Sequence, residues 1–266
     1  MNVLIVYAHP EPESLNGALR DFSVERLRHA GHDVQVSDLY AMRWNASVGA
    51  ADFLDRNANE PLNVSAASKH AYETSTQAPE VAAEQKKLLQ ADALILQFPM
   101  WWFSMPAILK GWVDRVYAYG LAYGVGEHSR QKWGERYGEG TFKGKRAMLT
   151  VTVGGWAEHY SGRGINGRME DLLFPINHGI LHYPGFDVLP SYVIYQTGWL
   201  DESRYQQTLI ELGARLDALW ETDPIPYRTQ NGGDYDIPSC ELKPGLNPEQ
   251  CGFDIHLARS TRSPST

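Results

Sequence analysis

The amino-acid sequence predicts a doubly wound α/β fold. Five parallel strands in the order 2-1-3-4-5 carry helices on both faces over residues 1–220, and an irregular C-terminal extension follows over 221–266. Three observations lead there. First, unbroken apolar runs of strand length, NVLIVYA at Asn2–Ala8 and LILQF at Leu94–Phe98, suit parallel strands covered on both faces. Second, helical patterns alternate with the strands, and a β-α-β crossover is almost always right-handed and parallel. Third, the stretch from Leu94 to Tyr123 passes from a strand through Pro99 and the aromatics Trp101, Trp102 and Phe103 into a helix near Ser104 and Pro106. That is the layout of the carboxyl edge of an open sheet, where such folds bind ligands.

In chain order, Asn2–Ala8 is the first strand. Leu15, Ala18, Leu19, Phe22 and Leu27 then recur at helical spacing, with Ser14 placed to cap the helix and Gly31 to end it. Asp33–Asp38 alternates and reads as the second strand. Leu39–Ala78 is rich in Asn, Ala and Ser, and is expected to be a long excursion with short helical turns. Glu80–Gln90 is a helix, Ala91–Phe98 the third strand and Met105–Tyr117 a helix. Gly124–Gly140 is polar and Gly-rich, an exposed loop that serves equally as a solvated connection or a lid. Arg146–Val153 is the fourth strand, closed by Gly154 and Gly155. Asn166–His182 is expected to be helical with an interruption at Pro175. Phe186–Tyr195 supplies the fifth strand, split at Pro190, and Asp201–Trp220 the last helix. Beyond Glu221 periodicity vanishes, so that segment either wraps the body or lacks order.

Composition narrows the partners. Apolar residues make up 43% of the 266, ample for a core. A net charge of −8 argues against nucleic acid. No apolar run approaches the roughly 20 residues of a membrane helix, and no basic region precedes the first strand as in a secretory signal. Cys240 and Cys251, the chain's 2 cysteines, read as reduced thiols of a cytoplasmic protein. The 8 Trp and 14 Tyr supply flat surface for ligands or a partner subunit.

Three carboxyl-edge loops are expected to converge: His9–Asn16, Pro99–Ser104 and Thr152–Tyr160. The first ends at a helix start, where free N–H groups and the helix dipole bind phosphate, with Ser14 and Asn16 as added donors. Ser14 serves equally as a plain cap, and His9 as an ordinary loop residue. No Walker lysine and no G-x-G-x-x-G are present, so neither a triphosphate nor a Rossmann site is supported. The second loop offers aromatic surface for a planar ring; three adjacent aromatics cannot all face one core. In the third, Gly154 and Gly155 let backbone N–H groups approach a ring edge, and Tyr160 is placed to donate to it. Together the loops have the composition of a flavin site.

The residues resemble the NAD(P)H:quinone oxidoreductases of the DT-diaphorase type, which are flavodoxin-like FAD enzymes. The matching stretches are YAHPEPESLNGAL (7–19), SDLYAM (37–42), VAAEQKKL (81–88), FPMWWFSMPAILKGWVDRV (98–116), TVGG (152–155), YSGRGINGRM (160–169) and PINHGILHYPGF (175–186). The resemblance implies FAD bound along His9, Ser14, Leu15, Asn16 and Ala18, with its ring on Pro99, Met100, Trp101, Trp102 and Phe103. Thr152, Val153, Gly154, Gly155 and Tyr160 would line the ring's polar edge, and Asn63, Asp114 and Arg204 would contact the adenosine portion or close the site. Ping-pong hydride transfer from NAD(P)H through FAD to a quinone follows, in a pocket walled by Trp102, Phe103, Ala122, Tyr123, Gly124 and Tyr183. Tyr160, Asn166 and Tyr123 would carry the catalytic roles. The resemblance also implies a homodimer whose sites draw on both chains.

Some positions depart from the pattern. Asn166 stands where vertebrate enzymes carry a histidine that, with the tyrosine matching Tyr160, relays charge; asparagine takes no proton at neutral pH. Val125 replaces a pocket tyrosine, and the Gly124–Gly140 loop is longer. His178 and His182 share a helical face, where one branch of the family binds zinc with a further cysteine; that place is Tyr227, and no metal is assigned. Two other readings remain: an FMN-dependent azo or nitro reductase, and a regulatory flavoprotein subunit of a potassium-efflux system.

Overall fold

A computed structural model of the chain describes residues 1–258. Its main sheet holds β1 (Asn2–Tyr7), β2 (Asp33–Asp38), β3 (Ala93–Pro99), β4 (Arg146–Thr152), β5 (Asp187–Val188) and β6 (Tyr192–Ile194). The order is β2-β1-β3-β4-β5, with β6 also paired to β4, and every pairing is parallel. The fifth position is thus one strand in two pieces, broken around Pro190, which has no N–H to give the ladder. The expected flavodoxin-like order is present.

Alternate residues of the central strands enter two cores. Val3, Ile5, Ala93, Ile95 and Met148 pack under α1 (Leu15–His29) and α6 (Glu202–Asp217), against Leu19, Leu27, Leu212 and Leu216. Leu4, Val6, Leu94, Leu96 and Phe98 face α3 (Pro79–Gln90) and α4 (Ala107–Val116), against Leu88, Leu109 and Trp112. Every residue of β3 is buried, as a central parallel strand requires.

The excursion over Leu39–Ala78 holds more order than its weak periodicity suggests. It contains α2 (Val64–Thr74), capped by Asn63. Buried Arg115 of α4 anchors it, donating to Asp52 Oδ1 at 2.6 Å and to the Asn45 carbonyl at 3.1 Å, beneath the Trp44 ring. Those partners are remote in sequence, so no local pattern announces them.

The helix expected to break at Pro175 does not. It begins as α5 (Met169–Ile176) with Pro175 inside, then widens into π-helical turns over Asn177–His182. Proline removes one i→i−4 donor, and the wider turn absorbs the disruption without ending the helix.

The segment beyond Glu221 wraps the body. Its short hairpin, β7 (Tyr235–Asp236) and β8 (Glu241–Leu242), builds no core, and its anchors are polar. Buried Gln230 donates to the Trp133 carbonyl at 3.1 Å and accepts from Arg136, while Asn231 donates to Glu139 Oε2 at 2.6 Å. The Gly124–Gly140 loop and the tail therefore satisfy each other's polar groups. The loop is also pinned to the end of the α5 helix, where the Tyr137 and Gly138 N–H groups meet the Tyr183 and His182 carbonyls at 2.8 and 3.1 Å.

Candidate active site

The three expected loops do meet at the carboxyl edge. Asn16, buried on the first turn of α1, donates from Nδ2 to Thr152 Oγ1 of β4 at 2.8 Å, across β3. Gln97 of β3 donates to the Asn16 carbonyl at 2.6 Å, and the Met100 N–H to the Thr152 carbonyl at 2.9 Å. Asn16 Oδ1 and Gln97 Oε1 remain buried without partners among the described residues.

The first loop folds tightly over the helix start. Ser14 Oγ donates to the Glu11 carbonyl at 2.7 Å and accepts from the Gly17 N–H at 3.2 Å, so its hydroxyl is the cap. A Cβ on Gly17 would lie 1.8 Å from the Pro12 carbonyl oxygen, so only glycine allows this approach. The Leu15 and Asn16 N–H groups precede the first intrahelical acceptor and stay available to an anion. Ala18 follows on the same turn. His9 Nδ1 meets the Glu11 N–H at 3.1 Å, and its ring tilts against Trp101 at 6.4 Å.

The second loop is a tight turn closed by reciprocal bonds between Trp101 and Ser104, at 3.0 and 3.1 Å. Its two central residues, Trp102 and Phe103, both adopt left-handed backbone, φ 48° and 63°. Such conformations cost of order 1–3 kcal/mol each outside glycine, and persist only where surroundings impose them. They hold the aromatic side chains off the body: Trp101, Trp102 and Phe103 are 42%, 94% and 48% exposed. Pro99 is buried beneath them, and Met100 is half-buried.

The third loop supplies a ledge. The Val153 N–H is held by the Ile194 carbonyl at 2.8 Å, and a Cβ on Gly154 would meet nothing within 4 Å. The Tyr160 ring lies against Gly155, its hydroxyl 3.3 Å from where a Cβ would stand. Asn166 N–H bonds the His159 carbonyl at 3.0 Å, which fastens the Asn166 turn to the Tyr160 turn.

A fourth loop, after β6, joins these three and was not expected as a unit. Gln196 and Thr197 N–H groups reach the Gly155 and Val153 carbonyls at 2.9 and 3.2 Å. Arg204 donates to the Trp199 and Tyr195 carbonyls at 3.2 and 3.3 Å, and the Trp199 side chain stands 68% exposed. Its position follows from helix packing. α1 and α6 run parallel, with Gly213 against Phe22 and Arg26 paired to Asp217. Arg204 and Trp199 therefore belong to a loop at the same carboxyl edge as the start of α1. The signal available in the sequence was a Gly-flanked tryptophan between strand and helix, too common a pattern to single out.

The remaining expected residues occupy a second surface. Ala122, Tyr123 and Tyr183 line a shallow cavity of about 390 Å³ with Lys110, Asp114 and Gly179. Ala122 itself is buried, and Tyr123 packs edge-on against Tyr119 at 5.2 Å. Gly124 turns the chain beside them at φ 70°. Asp114 pairs with Lys110 at 2.6 Å, and Asn63 Oδ1 accepts from the Ala66 N–H at 3.1 Å as the cap of α2. None of the four edge loops contributes to this cavity.

His178 and His182 lie 5.5 Å apart between ring centroids. His178 stacks on Phe174 at 4.5 Å and on Tyr137 at 4.7 Å. Burial, with the nearby His182 and His256, lowers the His178 pKa to about 3. Among the described residues no group of three His, Cys, Asp or Glu is arranged to hold a metal.

The site's features fit a flavin: flat aromatic surface, an open glycine ledge, an orphaned buried Asn16 oxygen and an anion-binding helix start. Comparison with known proteins agrees. A family model described as having the flavodoxin-like fold matches residues 1–216. A Penicillium crustosum protein named ribosyldihydronicotinamide dehydrogenase-like protein traD is 52% identical over 257 residues, covering 96% of this chain and 95% of that one. Human ribosyldihydronicotinamide dehydrogenase [quinone] is 40% identical over 225 residues, covering 84% and 94%. The crystal structure of a candidate quinone reductase from Klebsiella pneumoniae superposes with a TM-score of 0.95 at 60% identity, over 97% of this chain and 100% of that one. On the match to the flavodoxin-like model and these relatives, the chain belongs to the NAD(P)H:quinone oxidoreductase family, built on the flavodoxin-like fold.

Proposed function

We propose that the chain is an FAD-dependent NAD(P)H:quinone oxidoreductase that reduces quinones by two electrons. The observation that carries this reading is the aromatic shelf Trp101–Phe103 facing outward beside the open Gly154 ledge. The flavin, when bound there, supplies reversible hydride acceptance, so that one pocket serves nicotinamide and quinone in turn. The chain's own residues do the rest. Trp102 and Phe103 offer a flat, water-excluding surface for a planar acceptor. The Gly154 and Gly155 backbone and the Tyr160 hydroxyl present donors where negative charge develops, the main electrostatic lever in such a site. Tyr160 acts without an imidazole partner, because Asn166 carries no titrating proton.

FAD is preferred over FMN because the fourth loop, with Arg204 and exposed Trp199, adds a cation and flat surface to the carboxyl edge. A mononucleotide ends at its phosphate and has no use for them. The second surface supports a homodimer: Asn63, Asp114, Ala122, Tyr123 and Tyr183 would complete the edge loops of the opposite subunit. Both cysteines are free, in keeping with a cytoplasmic setting. No described helix is long and apolar enough to cross a membrane.

Purified protein is expected to be yellow, to release FAD by mass, and to oxidise nicotinamide when a benzoquinone or naphthoquinone is added. Colourless protein that flavin cannot reconstitute overturns the reading. Released FMN with azo-dye turnover favours the azo or nitro reductase instead, and capture of a membrane channel with negligible quinone turnover favours a regulatory subunit. The names of the two relatives make dihydronicotinamide riboside a second hydride donor to compare with NADH and NADPH.

A further inference from the structure

One cavity lies away from the flavin edge. It measures about 450 Å³ and lies beyond the β6 edge of the sheet, between α5, α6 and the tail. This is within the size range of small-molecule sites. Leu173, Phe174, Tyr192, Ile225 and Tyr227 make its walls mainly apolar. The tail roofs it: Phe253 stacks on Phe174 at 4.3 Å with planes 10° apart, and Asp254 accepts from Arg168 at 2.7 Å. Tyr195 forms the wall toward the flavin edge, its ring 5.8 Å from that of Tyr160.

One polar group in the lining is unsatisfied. Asn177 is 4% exposed, and its Nδ2 donates to Ser191 Oγ at 3.1 Å. Its Oδ1 is buried with no partner among the described residues. Buried acceptors are nearly always paired, and Asn177 is a lining residue of the cavity, so a modest turn of its amide brings the unpaired oxygen to a ligand's donor. Glu170, Asp171 and Asp254 stand at the lining with Arg215 as the facing cation, which disfavours an anionic occupant.

We infer that this cavity is a second small-molecule site, for a neutral aromatic ligand whose hydroxyl donates to Asn177 Oδ1: a phenol, the class that includes hydroquinones but not quinones. A quinone has only acceptor oxygens and leaves Asn177 unmatched. The inference stands apart from the quinone-reductase reading, since occupancy is read without turnover.

The test soaks crystals of the full-length protein with 6-bromo-2-naphthol and locates bromine by anomalous diffraction. Bromine is expected beneath residues 253–257, with the naphthol oxygen on Asn177. The methyl ether, 6-bromo-2-methoxynaphthalene, should need about tenfold more ligand for equal occupancy, the worth of one hydrogen bond. Asn177→Leu should impose the same loss on the naphthol. Ile225→Trp, which fills the cavity from its wall and spares Asn177, should abolish the peak and decides the matter if Asn177→Leu fails to fold. Bromine only on the aromatic shelf or nowhere, equal occupancy by the ether, or a peak that survives Ile225→Trp overturns the inference.

Discussion

Asn16 of the first helix turn and Thr152 at the end of β4 are joined side chain to side chain at 2.8 Å, across the central strand. This bond clamps the loop after β1 to the loop after β4. Thr152→Val keeps the shape and removes the acceptor, leaving a buried amide donor unpaired. That costs about 1–3 kcal/mol. Denaturant unfolding without added flavin should show the loss, and flavin affinity should fall as well, because the helix start and the glycine ledge are no longer held together.

Tyr160→Phe tests the donor at the Gly155 rim. Losing one donor to developing negative charge typically slows a reaction ~10²–10³-fold. Stopped-flow measurement of the reductive half-reaction should show a drop of that order, and an unchanged rate would reduce Tyr160 to a packing residue. Asn166→His is the companion variant. A faster reductive step in it would mean that a proton relay is useful in this pocket and missing from the natural chain.

Trp102 places function against stability. Its left-handed backbone is strained and its side chain is 94% exposed. Trp102→Gly relieves the strain and removes nothing from the core, so apo stability should rise by about 1 kcal/mol. Quinone turnover should fall sharply in the same variant, chiefly through KM. Stability that falls instead would mean that the ring packs on something the isolated chain needs.

Gly17→Ala should be severe. The new methyl meets the Pro12 carbonyl at 1.8 Å, so the loop must move off the helix start. Flavin retention after gel filtration should be lost, with destabilisation of about 2 kcal/mol or more from overpacking against backbone.

Acid should expose the His178 stack. Its folded pKa is near 3 against 6.5 for the free group, because burial disfavours the cation. The unfolded chain therefore binds more protons than the native one between those values, and stability falls as pH drops from about 6.5 toward 3. His178→Phe keeps an aromatic between Phe174 and Tyr137 and removes the titration. Urea midpoints at pH 7 and pH 5 should differ less in this variant than in the natural chain.

The strands, their parallel order and the three principal loops were legible because each is written locally. Buried parallel strands read as continuous apolar runs, and the FPMWWFSMP and Gly154–Gly155 stretches follow strand ends directly. The tertiary structure decided what depends on contacts between distant segments. Arg115 reaches back to Asp52 and orders an excursion that carries no periodicity of its own. The tail and the Gly124–Gly140 loop supply each other's hydrogen bonds, so neither is interpretable alone. Pro175 reads as an interruption of its helix, but the wider turns that follow absorb it. The fourth edge loop with Trp199 emerged only from its backbone bonds to Gly155 and Val153, and the separation of Tyr123 and Tyr183 from the shelf only from the folded surface. Local pattern determines which elements form, because hydrophobic periodicity is a property of neighbours in sequence. Which side chains share a pocket is settled by packing between elements, and a single sequence does not display it.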